Sequence, residues 1–286
     1  MPFLRRKTRV ILIVVGLFAL SPLIVLAHPR ARAVLRLTPS FLPLKQDSRV
    51  FYEPGAETYA ERIAEALPGA IARVQECHSR PFVSDFRVYI CASHKSFTRH
   101  IGHPASSPVR GTAFLWDIWV SPKAFVFWGE DTHRQTLAHE LSHLHLGQHL
   151  GWWRRTKNVP AWFGEGLADW VADMFGDGPS REKALEGFFT GYHLVPDASG
   201  RLPFPKRPWD YGLTGPMLHM QSRMFVDYLR ARDEESFKEF VAAVVLGVPF
   251  DVAFREHFGD SLGGVWHDFL DALKTQFEHA SDARLR

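Results

Sequence analysis

His139-Glu140-Leu141-Ser142-His143 puts two imidazoles four residues apart with a carboxylate between them. On a helix both rings face one way, about one turn apart, and can hold a single zinc ion (Zn2+). Glu140 then lies roughly 100° round toward the open side, which separates the ligands from a general base acting on a metal-bound water. In a chain with 15 histidines so short a pattern can arise by chance, and the reading needs a third ligand. Pro160 to Trp170 predicts a second helix, with proline near its first turn and Leu167, Trp170 and Val171 as an apolar stripe. Glu165 and Asp169 share a face of it. Catalytic zinc commonly takes two histidines and one glutamate and leaves its fourth position to water, so Glu165 fits the third place. A zinc-bound histidine usually donates its other ring hydrogen to a carboxylate, and Asp169 is the candidate for that role.

On these residues the chain resembles the gluzincin metallopeptidases, which pair a His-Glu-x-x-His helix with a later helix carrying Glu-x-x-x-Asp. More narrowly, the run from about Phe86 to the C-terminus is similar to the bacterial peptidase MA-like group. The matching pieces are a strand at Val88-Tyr89-Ile90, the zinc helix, the Pro160 to Ala168 segment, and helical residues from Gln221-Ser222 through Tyr228-Leu229. The first 85 residues lie largely outside the match. The resemblance implies an α+β, zincin-like fold: a small mixed sheet packed on the zinc helix, with a helical C-terminal lobe. It implies a zinc-dependent peptidase with Glu140 as general base and peptide or protein as substrate. An edge strand at Ala113 to Trp116 would hold extended substrate by backbone hydrogen bonds. His219, in the segment His219 to Leu229, takes the place of a histidine that contacts the tetrahedral intermediate. The group more often has tyrosine there, so Tyr211 and Arg223 stand as alternatives. His143 and Glu165 are 22 positions apart, more than compact gluzincins use, and Gly147 to Asn158 would supply the longer connection. No motif for gripping a free amine is evident, which favours an endopeptidase. From another class, a catalytically inactive zinc-stabilised binding or scaffolding protein at the membrane is the rival; Glu140 argues against it, since a purely structural metal needs no base.

Composition limits the partners. With 34 Lys plus Arg against 31 Asp plus Glu, and Arg5, Arg6, Lys7 and Arg9 contributing to the excess, the body is close to neutral and nucleic-acid binding has no electrostatic support. Those basic residues precede Val10 to Ala27, an uncharged apolar run near the lower length limit for a membrane span. Residues 1–27 therefore read as a membrane anchor, or as a signal peptide cleaved after Val25-Leu26-Ala27. The expected location is the inner membrane with the catalytic part on the periplasmic or extracellular side, or a secreted or periplasmic form if the segment is removed. Cys77 and Cys91 are the only cysteines, either a disulfide or two buried thiols.

Along the chain, 28–55 reads as a linker, 56–175 as an α/β lobe carrying the zinc-binding helices, 176–210 as a Gly/Pro-rich loop with a short helix, and 211–280 as the helical lobe. Thr58 to Cys77 predicts one kinked helix or two short ones around Pro68-Gly69, and Phe86 to Cys91 a half-buried strand. Thr112 to Val120 reads as a strand or a hairpin, and Asp131 to Leu150 as the zinc helix. His133, His145 and His149 read as polar rim residues, His145 and His149 being the strongest rival ligand pair. Trp116, Trp119, Trp152 and Trp153 are candidates for an apolar specificity pocket, and residues after Glu278 for a frayed tail.

Overall fold

A computed structural model of the chain describes residues 40–114, 116–126, 131–174 and 181–284. The proposed membrane segment, residues 1–27, lies outside the described residues, as does part of the 176–210 loop. Among the described residues no helix is long and apolar enough to cross a membrane.

The elements run β1 (Leu42–Pro43), β2 (Val50–Tyr52), α1 (Glu57–His78), β3 (Val88–Ile90), α2 (His94–Ile101), β4 (Gly111–Phe114), β5 (Asp117–Val120), α3 (Thr132–Asn158), α4 (Ala161–Val171), α5 (Arg181–Thr190), α6 (Gly215–Arg232), α7 (Glu234–Val245), α8 (Phe250–Phe258) and α9 (Leu262–Arg284). This is an α+β protein with a small mixed sheet and a helical C-terminal half. The strand order is β1-β2-β3-β5-β4, with β2, β3 and β5 parallel and the outer strands antiparallel.

The sheet begins earlier than the sequence suggested. Residues 28–55, expected to be a linker, supply β1 and β2, and Phe41, Leu44 and Val50 are buried. Strands of two and three residues beside a proline carry no readable alternation, which is why they escaped notice. β3 is the central strand and is buried on both faces, not half-buried. Val88 and Ile90 face the main core with Ile118 and Val120, while Tyr89 stacks on Trp119 at 4.5 Å beneath α2. Trp119 is thus core, whereas Trp116, Trp152 and Trp153 are exposed. α1 is one continuous helix despite Pro68. α9 continues through the residues expected to fray.

α3 is the axis of the fold. It packs on α1, on β4 and β5, and on α4, so residues on every side of it are buried and it shows no single apolar stripe. Leu137, Leu141 and Leu144 face the core as expected. The helix breaks at Gly151, whose φ of 68° and ψ of 163° end the first segment, and a short second segment continues to Asn158. The connection toward α4 is therefore mostly helical. α4 and α6 pack at backbone contact: a Cβ on Gly166 would lie 2.7 Å from the Ser222 carbonyl oxygen, so glycine there sets how closely Glu165 approaches α6.

Candidate metal centre

α3 presents His139 and His143, α4 presents Glu165 and Asp169, and α6 presents His219. Glu165 Oε2 lies 3.5 Å from His139 Nε2, 3.3 Å from His143 Nε2 and 3.6 Å from His219 Nε2. The two α3 histidines bring their Nε2 atoms within 3.1 Å of each other. One carboxylate oxygen thus meets imidazole nitrogens from two other elements. His139, Glu165 and His219 form a possible metal-binding cluster, with one donor atom from each inside a common 4.8 Å. His143 belongs with them, because its distances to His139 and Glu165 are shorter than that of His219 to Glu165. Four donors around one ion at zinc–ligand lengths near 2.0–2.2 Å sit about 3.3–3.5 Å apart. The His139, His143, Glu165 triangle, with sides of 3.1, 3.3 and 3.5 Å, has that size.

Asp169 organises the rings from behind. Its Oδ2 accepts from His219 Nδ1 at 2.9 Å, which turns His219 Nε2 toward Glu165. Its Oδ1 lies 2.9 Å from His139 Nδ1, yet neither atom has an aligned hydrogen-bond partner among the described residues. A small rotation of the imidazole would align them, and a cation on Nε2 is the kind of restraint that fixes such a rotation. Arg223 donates to the Asp169 carbonyl and so supports the turn that carries it. Burial opposes charge on His139, but Asp169, Glu165 and Glu140 outweigh it and hold its pKa well above the usual value. Burial likewise opposes charge on Glu165, and His143, His139 and His219 together keep its pKa well below the ordinary carboxylate range. The opposite charges of these buried groups therefore stabilise one another.

Glu140 lies beside His139 on α3, and its Oε2 accepts from Ala113 N at 2.8 Å, which tethers it to β4. β4 is an edge of the sheet, and Ala113 points its backbone N–H away from β5 toward Glu140. A Cβ on Gly111 would lie 2.7 Å from Thr136 Cγ2 and 3.1 Å from Glu140 Cγ, so only glycine lets β4 come this close to α3.

The alternatives for the oxyanion donor are engaged elsewhere: Tyr211 Oη donates to Asp197 at 2.7 Å, and Arg223 binds Asp169 and Asp227. The rival pair His145 and His149 belongs to another structure. His145, fully buried instead of on a rim, meets His78 Nδ1 at 3.0 Å through its Nδ1 and donates to the Arg80 carbonyl at 3.0 Å through Nε2. His78 Nε2 accepts from Ser142 Oγ at 3.0 Å, and His149 donates to the Pro81 carbonyl. All these bonds are satisfied with neutral rings, which makes the group a polar staple between α1 and α3. His133 is also buried, stacked on Phe125. Cys77 and Cys91 are two free buried thiols.

Arg155 is a site neighbour that the sequence did not signal. It lies on the short segment after Gly151, and its Nη2 is 3.1 Å from His143 Nδ1. Two arginines and a lysine between Gly151 and Asn158 read simply as a polar connection, and only the break at Gly151 turns one of them inward. No family model matches this chain, and no curated protein matches it.

Proposed function

We propose that this chain is a zinc-dependent peptidase of gluzincin type, with zincin-like architecture, using His139, His143 and Glu165 as ligands, Asp169 as the carboxylate behind them and Glu140 as general base. The observation that carries the reading is the ligand-sized triangle joining α3 to α4, with Glu140 tethered beside it on the substrate side. A bound zinc would supply a Lewis acid and an acidified water at neutral pH. Glu140 would take a proton from such a water; the Ala113 bond fixes Oε2 and leaves Oε1 as the acceptor. The same carboxyl then delivers the proton to the leaving amine. His219 Nε2 faces the cluster, with its ring fixed by Asp169, and donates to the oxygen that becomes negative. The Ala113 N–H is taken by Glu140, so the outward Gly111 N–H and the outward carbonyls of Gly111 and Ala113 are the β4 groups that would pair with an extended peptide. The apolar run Val10 to Ala27 carries the catalytic part to the outer side of a membrane.

A second reading draws on His219. At 3.6 Å from Glu165 Oε2, its Nε2 could close the fourth position and make the centre a structural staple in a binding or scaffolding protein. Two variants separate these. Glu140→Gln is expected to keep its zinc and lose cleavage of a mixed peptide library; cleavage equal to wild type contradicts the peptidase. His219→Ala is expected to keep zinc and lose turnover; loss of zinc instead supports the closed site.

A further inference from the structure

Four of the exposed aromatic side chains gather on one stretch of surface. Trp152 and Trp153 follow the break at Gly151 with ring centroids 5.9 Å apart, and more than half of each is open to solvent. Phe204 and Trp209 project from the chain between α5 and α6 at 58% and 65% exposure. That loop lies against the segment carrying the tryptophan pair: a Cβ on Gly200 would sit 2.0 Å from the Thr156 carbonyl oxygen and 2.9 Å from that of Val159. Trp162 Nε1 donates to the Asp197 carbonyl and Tyr211 Oη to the Asp197 side chain, which holds the loop in place. Pro203, Pro205 and Pro208 restrict its backbone, so the rings are displayed with little conformational freedom left to lose. Apolar side chains grouped in this way on a surface mark a contact with something else.

The charge around them has one sign. Residues 147–160 carry Arg154, Arg155 and Lys157 and no acid, and 195–211 carry Arg201, Lys206 and Arg207. The two carboxylates of the loop are engaged, Asp197 by Lys206 at 3.0 Å and Asp210 by Arg201 at 2.9 Å. The Arg207 guanidinium lies 5.1 Å from the Trp209 ring centre. Indole rings beside long basic side chains match the boundary of a bilayer, where the ring sits at headgroup level and the cation meets lipid phosphate. The length of chain leading to the body supplies the second argument. The apolar run ends at Ala27, and residues 28–39 alone separate it from the described body. That stretch reaches at most about 40 Å. It contains Arg30, Arg32 and Arg36 and no acid. A body held this close meets the bilayer at high effective concentration, so a weak surface contact is enough to orient it.

We propose that the surface formed by Trp152, Trp153, Phe204 and Trp209, with Arg154, Lys157 and Arg207, docks the folded body onto an anionic lipid bilayer. This rests on the reading of Val10 to Ala27 as a membrane segment and is independent of peptidase activity. The test reconstitutes the full chain into phosphatidylcholine vesicles with or without phosphatidylglycerol, each with plain or brominated acyl chains. Flotation reports the anchor. Quenching of tryptophan fluorescence by bromine reports the docking surface, since residues 1–27 contain no tryptophan. Wild type is expected to be quenched in the anionic vesicles, less in the neutral ones, and less again in high salt. Replacing Trp152, Trp153, Phe204 and Trp209 together by Ser should remove most of the quenching. Changing Arg154, Lys157 and Arg207 to Gln keeps every tryptophan and should lower the ratio of docked to free body by about 5-fold per charge. Wild type that floats without quenching overturns the proposal, as does quenching retained in full by the aromatic variant. If that variant does not fold, the charge variant decides, and quenching equal to wild type contradicts the docking. Wild type that does not float removes the anchor reading. The chain mixed with the same vesicles then decides the surface, and quenching that ignores phosphatidylglycerol overturns it. Slowed amide exchange over 147–160 and 195–211 that follows protein concentration and not lipid means that a second copy covers the surface, and overturns it as well.

Discussion

Gly111→Ala probes the contact between β4 and Glu140, the proposed base. The added Cβ would lie 2.7 Å from Thr136 Cγ2 and 3.1 Å from Glu140 Cγ. Carbon atoms rest at about 3.5–4.0 Å, so β4 must retreat by about 1 Å. The Ala113 N to Glu140 Oε2 bond, 2.8 Å long, would then stretch past hydrogen-bonding range. Overpacking of this kind costs about 1–3 kcal/mol. In a domain this large it lowers the melting temperature by roughly 3–10 °C. Misplacing a catalytic group by about 1 Å costs on the order of 10²-fold in turnover. The proposed metal ligands lie on α3 and α4, away from the new atom, and zinc content should hold. Melting temperature, zinc content and library cleavage measured on one preparation therefore give a signature: slightly less stable, fully loaded, nearly inactive. Adding Thr136→Ser removes the closest clashing methyl and should restore part of both properties. A Gly111→Ala protein with wild-type stability and turnover would refute the proposed packing of β4 on Glu140.

Two further outcomes follow from the buried polar groups. Burial and the nearby His149 push the pKa of His145 down to about 4, while the unfolded chain titrates near 6.5. The unfolded state therefore binds more protons between those values, and stability should fall as pH drops through that window by up to about 3 kcal/mol, levelling off below it. Urea midpoints from pH 7.5 to 4 test this, and an identical slope in a folded His145→Gln variant would contradict it. Burial also raises both thiols, Cys77 to about 11, so neither should react with a thiol reagent in the native protein and both should react in urea. A nonreducing digest containing a Cys77–Cys91 crosslink would contradict that.

What the chain discloses along its length and what it conceals differ in range. The helix carrying His139 and His143, its end near Gly151, Glu165 one turn before Asp169, and the boundaries of α6 were legible because each is a local pattern of one or two turns. The helical lobe was legible for the same reason. β1 and β2 are too short to alternate, and they are strands only because β3 offers them a partner. The His78 to His145 bond spans 67 positions, and the Asp169 to His219 bond spans 50. No local period encodes either. Buried histidines looked like surface ones because a neutral ring that finds a carbonyl or hydroxyl partner tolerates burial well. Arg155 was concealed by its neighbours: the exposed Trp152, Trp153 and Arg154 make the segment look solvent-facing.

The most direct measurement is zinc per folded chain, by elemental analysis of the purified protein, for wild type and for His139→Ala, His143→Ala and Glu165→Gln. One tightly held zinc in wild type and its loss in each variant are expected, with melting curves showing that the variants remain folded. Equal zinc in wild type and His143→Ala, or none in wild type after reconstitution, would contradict a metal centre at these residues.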